Sequence, residues 1–307
     1  MLRSSLLAAS RSAGARKLVE STPLTRPVVE RFVAGDGVDA AIRVTAEVLG
    51  DGRLVTLDHL GEDTFEESQA NYTVEAYLTL LGRLESHGLT NGAEVSVKLS
   101  AVGQSLAIDG EKIALENARR ICAAAAVVGT TVTLDMEDHT TTDSTLGILR
   151  ELRVDFPWVG AVLQAYLRRT EQDCRDLAHS GSRVRLCKGA YQEPASVAYQ
   201  DKHDVDRSYV RCLKVLMEGQ GYPMVASHDP RLIAIAADLA SARSKDSYEF
   251  QMLYGIRPEE QRRIATEGNR MRVYVPYGDE WYGYFMRRLA ERPANVAFFV
   301  RSLLTKS

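Results

Sequence analysis

Neither a dominant charge nor a cysteine framework marks this 307-residue chain. Its 38 lysines and arginines stand against 41 aspartates and glutamates, a formal charge of −3 with no basic footprint for nucleic acid. The four cysteines, Cys122, Cys174, Cys187 and Cys212, lack CxxC spacing. They exclude a zinc-ribbon pattern and read as reduced, buried thiols of a cytosolic protein, three in helical segments and one in a strand. No apolar run is long enough to span a bilayer. No GxGxxG follows the first strand, which ends Thr56-Leu-Asp-His-Leu-Gly-Glu62, so the fingerprint of a dinucleotide-binding doubly wound sheet is missing.

What is present is alternation. Eight short apolar runs, Arg53–Asp58, Ala93–Ser100, Thr130–Glu137, Val159–Tyr166, Ser182–Gly189, Tyr222–His228, Ser247–Leu253 and Met271–Gly278, start almost continuously apolar, as buried parallel strands do. Helical patterns lie between them, including Asp63–Ser86, Glu111–Val128, Thr170–His179, Asp204–Glu218, Pro230–Ala242 and Pro258–Glu267. Several open on Asp, Ser, Thr or Pro. Eight strand–helix units in a row predict an α/β fold, a (β/α)8 TIM barrel over residues 51–307, preceded by a helical arm over residues 1–50. The first sixteen residues are basic and acid-free, like an import presequence. Their apolar face continues towards Phe32 without a cleavage site, so they are expected to belong to the arm.

The strands turn polar at their C-terminal ends: Asp58, Lys98, Asp135 with Glu137, Gln164, Arg185 with Lys188, His228, Gln251 and Tyr274. A barrel gathers these ends on one face, where active sites are built. Lys98 reads as an ion pair with an aspartate such as Asp135, as a Schiff-base lysine or as a substrate contact. Leu134-Asp-Met-Glu-Asp-His139 crowds carboxylates beside an imidazole without a familiar metal spacing, and no metal is expected. Gly189 would let a planar group approach the backbone, and the start of the helix at Lys202 could bind phosphate. In the last unit Tyr284, Arg287, Arg288 and Glu291 share a helix face, and the two arginines form a candidate carboxylate clamp. Spacing alone therefore reaches a mouth for an anionic cofactor and a small carboxylate. An aldolase-like barrel using Lys98 as a Schiff base and a non-catalytic ligand-binding barrel stand as alternatives.

Eight motifs in order, Thr56-Leu-Asp-His-Leu-Gly-Glu, Ser96-Val-Lys-Leu-Ser, Asp135-Met-Glu-Asp, Gln164-Ala-Tyr, Arg185-Leu-Cys-Lys-Gly-Ala-Tyr, Ala226-Ser-His-Asp, Glu249-Phe-Gln-Met-Leu-Tyr-Gly and Tyr284-Phe-Met-Arg-Arg-Leu, resemble the proline dehydrogenase family over residues 40–300. The resemblance implies a distorted barrel and non-covalent FAD. It also implies oxidation of L-proline to Δ1-pyrroline-5-carboxylate by hydride transfer to flavin N5, with electrons leaving to a membrane quinone. Carried over by motif, Lys98, Asp135, Leu253, Tyr274, Tyr284, Arg287 and Arg288 surround proline. Asp135, Met136, Gln164, Arg185, Cys187, Gly189, Ala190, Tyr191, Lys202, Ser227, His228, Asp229, Gln251, Leu253 and Glu291 hold FAD. Glu62 and Arg185 form a gate, and Tyr274 packs against proline C4, which should disfavour 4-hydroxyproline. The short Tyr274–Tyr284 segment is like that of the monofunctional members. No aldehyde dehydrogenase domain and no DNA-binding region are seen, so the product is expected to pass to a separate pyrroline-5-carboxylate dehydrogenase. Gln192 stands where bifunctional members tend to carry Trp. A cytoplasmic protein, peripheral at the inner face of the membrane, is the implied setting.

Overall fold

A computed structural model describes residues 29–291, the side chains of 287–291 excepted. After α1 (Val38–Gly50), eight strands alternate with helices: β1 (Leu54–His59), α2 (Glu67–Ser86), β2 (Ala93–Val97), α3 (Gly110–Val127), β3 (Thr131–Leu134), α4 (Thr142–Asp155) and β4 (Gly160–Gln164). The second half continues with α5 (Thr170–Leu177), β5 (Arg183–Cys187), α6 (Lys202–Glu218), β6 (Tyr222–Ala226), α7 (Pro230–Leu239), β7 (Glu249–Leu253), α8 (Pro258–Thr266), β8 (Met271–Tyr277) and α9 (Trp281–Glu291). The strands are parallel and close in sequence order, β1 pairing β8 from Leu54 opposite Arg272 to His59 opposite Tyr277. This is the (β/α)8 barrel that the eight units predict.

The helix starts follow their sequence signals. Asp201 caps α6, its carboxylate accepting from His203 N, and Asp229 caps α7 by accepting from Arg231 N, with Pro230 in the first turn. Both caps satisfy amide donors that the first helical turn leaves without an intrahelical partner. The main apolar core fills the layer between the sheet and its helices, with Leu57, Val95, Leu134, Leu163, Leu186, Val225, Phe250 and Val273 on the strands.

The last helix departs from a regular barrel. Helix α1 packs Ala41, Ile42, Val44 and Val48 into the main core, against β1 and β8. Helix α9 instead joins a second apolar cluster, Tyr282, Tyr284, Phe285 and Met286 with Val29, Phe32, Val33, Leu60 and Ile256. Leu60 and Ile256 follow β1 and β7, so α9 covers the rim of the mouth at the C-terminal strand ends. The segment at residues 29–34 is tied there by Ala34 N donating to Pro276 O at 2.9 Å. Gly255 holds φ +72 beneath it, where any Cβ would lie 1.8 Å from Arg31 O. Residues 1–28 of the expected arm lie outside the described residues. Among the described residues no helix is long and apolar enough to cross a membrane.

Candidate active site

The barrel lumen is lined by polar side chains, where TIM barrels more often pack branched aliphatics. Glu94 on β2 accepts from Thr56 on β1, from Thr131 and Thr133 on β3, and from Arg183 and Arg185 on β5. Bonds between strands that are not neighbours must cross the lumen. Arg272 on β8 donates to both oxygens of Glu249 on β7 at 2.7 and 3.1 Å, and Gln251 donates to Glu249 at 2.6 Å. Three arginines thus share the lumen with Glu94, Glu249 and Asp135. Burial opposes the Glu94 charge, but Arg272, Arg183 and Arg185 outweigh it and hold its carboxyl well below the usual range. The near-continuously apolar strand starts expected from sequence therefore need correction. Every second residue, Glu94, Arg183, Glu249 or Arg272, is polar because alternate strand residues face the lumen. An acid or base at every second position of an otherwise apolar run was the available signal.

Above this layer lie the strand ends. Lys98, one residue past β2, donates from Nζ to both carboxylate oxygens of Asp58 at 2.7 Å. The partner expected from sequence, Asp135, is engaged elsewhere: Oδ1 accepts from Arg185 Nη1 at 2.7 Å and Oδ2 from the Tyr274 hydroxyl at 2.6 Å. The exchange follows from closure of the barrel, which puts β1 beside β2 and carries Arg185 across the lumen towards β3. Burial disfavours the Lys98 charge, yet Asp58, Asp135 and Glu62 overcome it and keep the ammonium above the ordinary lysine value. Such an amine stays protonated and is a poor Schiff-base nucleophile. Burial pushes Asp58 up to about 6 against the pull of Lys98, so at neutral pH the pair is ionic.

Arg185 is the centre of the mouth. It donates to Asp135, to Ser96 Oγ at 3.1 Å and to Glu94 at 3.2 Å, and its guanidinium lies 5.3 Å from the centre of the Tyr274 ring. The terminal nitrogens of Arg185 are thus engaged by Ser96, Asp135 and Glu94. Its Nε is buried without a protein acceptor, a donor left for a ligand.

Around this centre, Gln164 donates to Glu137 O at 2.6 Å, and Met136 is buried beside it. Burial raises Glu137 to about 7, although Ser100 donates to it from Oγ and from its amide. Cys187 closes β5 with a thiol that burial pushes up to about 11. Gly189 has φ +114, and a Cβ there would stand 2.3 Å from the Tyr166 ring, so the close approach inferred from sequence is made by Tyr166. Ala190 is exposed and Tyr191 half-buried in the same loop.

Lys188 donates to both Asp206 and Asp229, which removes it as a free charge at the mouth. Lys202 is exposed at the first turn of α6, whose amide end is already capped by Asp201. The buried Ser227 hydroxyl accepts from Asp229 N at 3.1 Å. His228 Nε2 accepts from Leu253 N at 3.0 Å, which puts the proton of a neutral ring on Nδ1. Leu253 packs on the cluster that holds Tyr284. Arg287, Arg288 and Glu291 lie on α9, and their side chains are outside the described residues. No cluster of three or more metal-ligating side chains occurs among the described residues.

Among the described residues the mouth thus offers neutralised ion pairs, the spare Nε–H of Arg185, an amide, hydroxyls and an aromatic wall. Polar hydrogen-bonding groups beside an aromatic face suit a planar heteroaromatic ligand with alternating acceptors.

Comparison with known proteins gives the family. The family described as proline dehydrogenase matches residues 41–301. Proline dehydrogenase 1 of Bacillus subtilis is 40% identical over 284 residues, 92% of each chain. Proline dehydrogenase of Deinococcus radiodurans is 43% identical over 281 residues, 90% of each chain. Among solved structures, proline utilization A from Bdellovibrio bacteriovorus, inactivated by N-propargylglycine, superposes with a TM-score of 0.80 at 26% identity. That match covers 92% of this chain and 34% of the larger protein.

Proposed function

The chain belongs to the proline dehydrogenase family and is an oxidoreductase acting on proline in the first step of its catabolism; on that premise we propose that it oxidises L-proline to Δ1-pyrroline-5-carboxylate with a non-covalent FAD seated in the barrel mouth. The observation that carries this reading is the mouth built around Arg185, Asp135 and Tyr274, in a chain matched to the family across nearly the whole barrel.

The donor set fits the cofactor. Arg185 would meet the flavin ring through its spare Nε–H. Gln164, Ser227, His228, Gln251 and the 187–191 loop would frame the rest, with Lys202, Asp229 and Glu291 on the outer side. Bound FAD supplies a two-electron acceptor at N5. The chain's own task is placement, since hydride transfer needs the donor carbon close to the acceptor and in line with it.

Charge pairing divides the labour at the mouth. Lys98 and Arg185 each already face a carboxylate, Asp58 and Asp135, so neither brings an uncompensated positive charge to a substrate carboxylate. That role falls to Arg287 and Arg288 on α9, where a planar guanidinium can grip a carboxylate in bidentate fashion. Tyr274, Tyr284 and Leu253 would wall the pyrrolidine ring and exclude water, with Tyr274 set against C4. Glu62 is assigned to a gate over the bound substrate, with Arg185 as its partner in the closed form.

Electrons would leave to a membrane quinone, and the imine product would pass to a separate pyrroline-5-carboxylate dehydrogenase. The setting proposed with this acceptor is the cytoplasm, peripheral at the inner membrane face. The test is the visible spectrum of the purified protein under anaerobic conditions. A flavin band that bleaches on adding L-proline is expected; protein loaded with FAD that proline leaves oxidised refutes the reading.

A further inference from the structure

We propose that Glu94, on the layer below the mouth, is a positioning residue for the reaction, acting by fixing the orientation of Arg185. The inference rests on the flavin reading above and adds to it a residue that touches neither substrate nor cofactor.

Glu94 is fully buried on β2. Its Oε1 accepts from Thr56 Oγ1 at 2.6 Å and from Arg185 Nη2 at 3.2 Å. Its Oε2 accepts from Arg183 Nη2 at 2.6 Å and from the hydroxyls of Thr131 and Thr133 at 3.3 Å. One carboxylate therefore joins β2 to β1, β3 and β5, and five donors hold it in a single rotamer.

The hold passes upward through a planar group. Arg185 is gripped by Glu94 on Nη2 and by Asp135 and Ser96 on Nη1. A rigid guanidinium fixed at both terminal nitrogens by acceptors on β2 and just past β3 has one orientation left. That orientation leaves Nε as the donor without a protein acceptor and sets the Tyr274 ring 5.3 Å away. Asp135 alone would not suffice, because it is shared with the Tyr274 hydroxyl and sits at the more open end of the site. Arg272 Nε also approaches Glu94 Oε1, at 3.8 Å, but is bound more closely by Glu249, at 2.7 Å. Glu94 is thus the carboxylate that holds Arg185 from beneath.

A structural role for Glu94 and a positioning role separate in a double-variant cycle. Glu94→Gln keeps the side chain's shape but turns one acceptor oxygen into an amide donor facing an arginine. Arg185→Lys removes the fork that Glu94 aligns. On purified holoenzyme, Glu94→Gln is expected to slow flavin reduction by proline about tenfold or more while the proline dissociation constant stays within about twofold. The Glu94→Gln/Arg185→Lys protein should be no slower than Arg185→Lys alone, because both substitutions break one device. Release of FAD on dilution, read by flavin fluorescence, should show the same non-additivity without any turnover.

If Glu94→Gln does not fold, Glu94→Asp retains the charge, retracts it from Arg185 and should give the same pattern. Multiplicative effects in the double variant, or a Glu94 variant that lowers Tm yet reduces flavin at the normal rate, overturn the inference. Wild-type protein that holds FAD but does not bleach with proline refutes the functional reading and this inference with it. A bleaching wild type beside an unimpaired Glu94→Gln refutes this inference alone.

Discussion

The Tyr274 hydroxyl on β8 donates a 2.6 Å hydrogen bond to Asp135 Oδ2 just past β3, joining residues 139 positions apart across the barrel mouth. Burial, reinforced by the Asp135 carboxylate, keeps the Tyr274 hydroxyl protonated far above its usual range, so it remains a donor at any working pH. Arg185 takes the other oxygen of the same carboxylate. The ring that would face substrate and the guanidinium that would face cofactor are thereby set by one acid.

Tyr274→Phe keeps the ring but leaves Asp135 Oδ2 without its donor. A lost hydrogen bond to a charged group costs about 1.5–3 kcal/mol, so kcat/KM for proline should fall by roughly ten- to a hundredfold. Steady-state kinetics check this, and an unchanged kcat/KM would show that the bond has no part in the reaction. Tyr274→Ser removes the ring, and the ratio of 4-hydroxyproline to proline activity should rise. An unaltered ratio counts against packing at C4.

Arg288→Met should raise KM for proline far more than it lowers kcat. A carboxylate left half-paired loses about 2–5 kcal/mol, which is roughly thirty- to several-thousandfold in affinity. The paired state of Lys98 and Arg185 sharpens this expectation, since neither offers a free charge as a substitute. KM within twofold of wild type would take the clamp away from α9.

Lys98→Met leaves Asp58 buried at 1% exposure without its cation. Removing one partner of a buried pair costs about 3–5 kcal/mol. The expected result is a clear drop in the chemical-denaturation midpoint at pH 8, partly recovered near pH 5, where the Asp58 carboxyl can protonate. Equal losses at both pH values would mean that the destabilisation comes from packing and not from the stranded charge.

Asp58 also predicts opposite pH trends for activity and stability. Its folded value, about 6, lies above the ordinary aspartate value of 3.8 because burial outweighs Lys98. Between those values the folded protein binds the proton more tightly than the unfolded chain, so this group adds stability as pH falls from 6 towards 4. Over the same interval protonation frees Lys98 from its partner. An acid limb in kcat/KM near pH 6 is expected, without a parallel loss of Tm from this group. In Asp58→Asn that limb should disappear; a limb that persists belongs to another residue. For Lys98 the folded value is raised, so its contribution is complete below the ordinary lysine pKa and is lost only as pH rises through the folded value.

The eight strands were legible because apolar runs of strand length alternate with capped helical patterns, and each observed strand falls within, or one residue beyond, its expected run. The mouth was legible for the same reason: Lys98, Asp135, Gln164, Arg185, His228, Gln251 and Tyr274 all stand at or near the C-terminal strand ends. The lumen was harder to read. Glu94, Arg183, Glu249 and Arg272 sit inside apolar runs, and their alternation becomes meaningful once one face of the sheet is known to close on itself. At Gly189 the group that lies against the backbone is the Tyr166 ring, a neighbour that no local pattern of the chain names.

By itself the sequence determined the order of elements, the barrel class and the set of side chains delivered to one end, since strand alternation and helix signals are local. Tertiary structure decided the partners. Lys98 meets Asp58, 40 residues away, and not Asp135, while Asp135 bridges Arg185 and Tyr274. It also decided that α9 turns over the rim to pack on Val29, Phe32 and Val33. Ion pairs in a lumen depend on which strands face each other after closure and on which charges burial forces to find a partner. Neither is written in any local period of the chain.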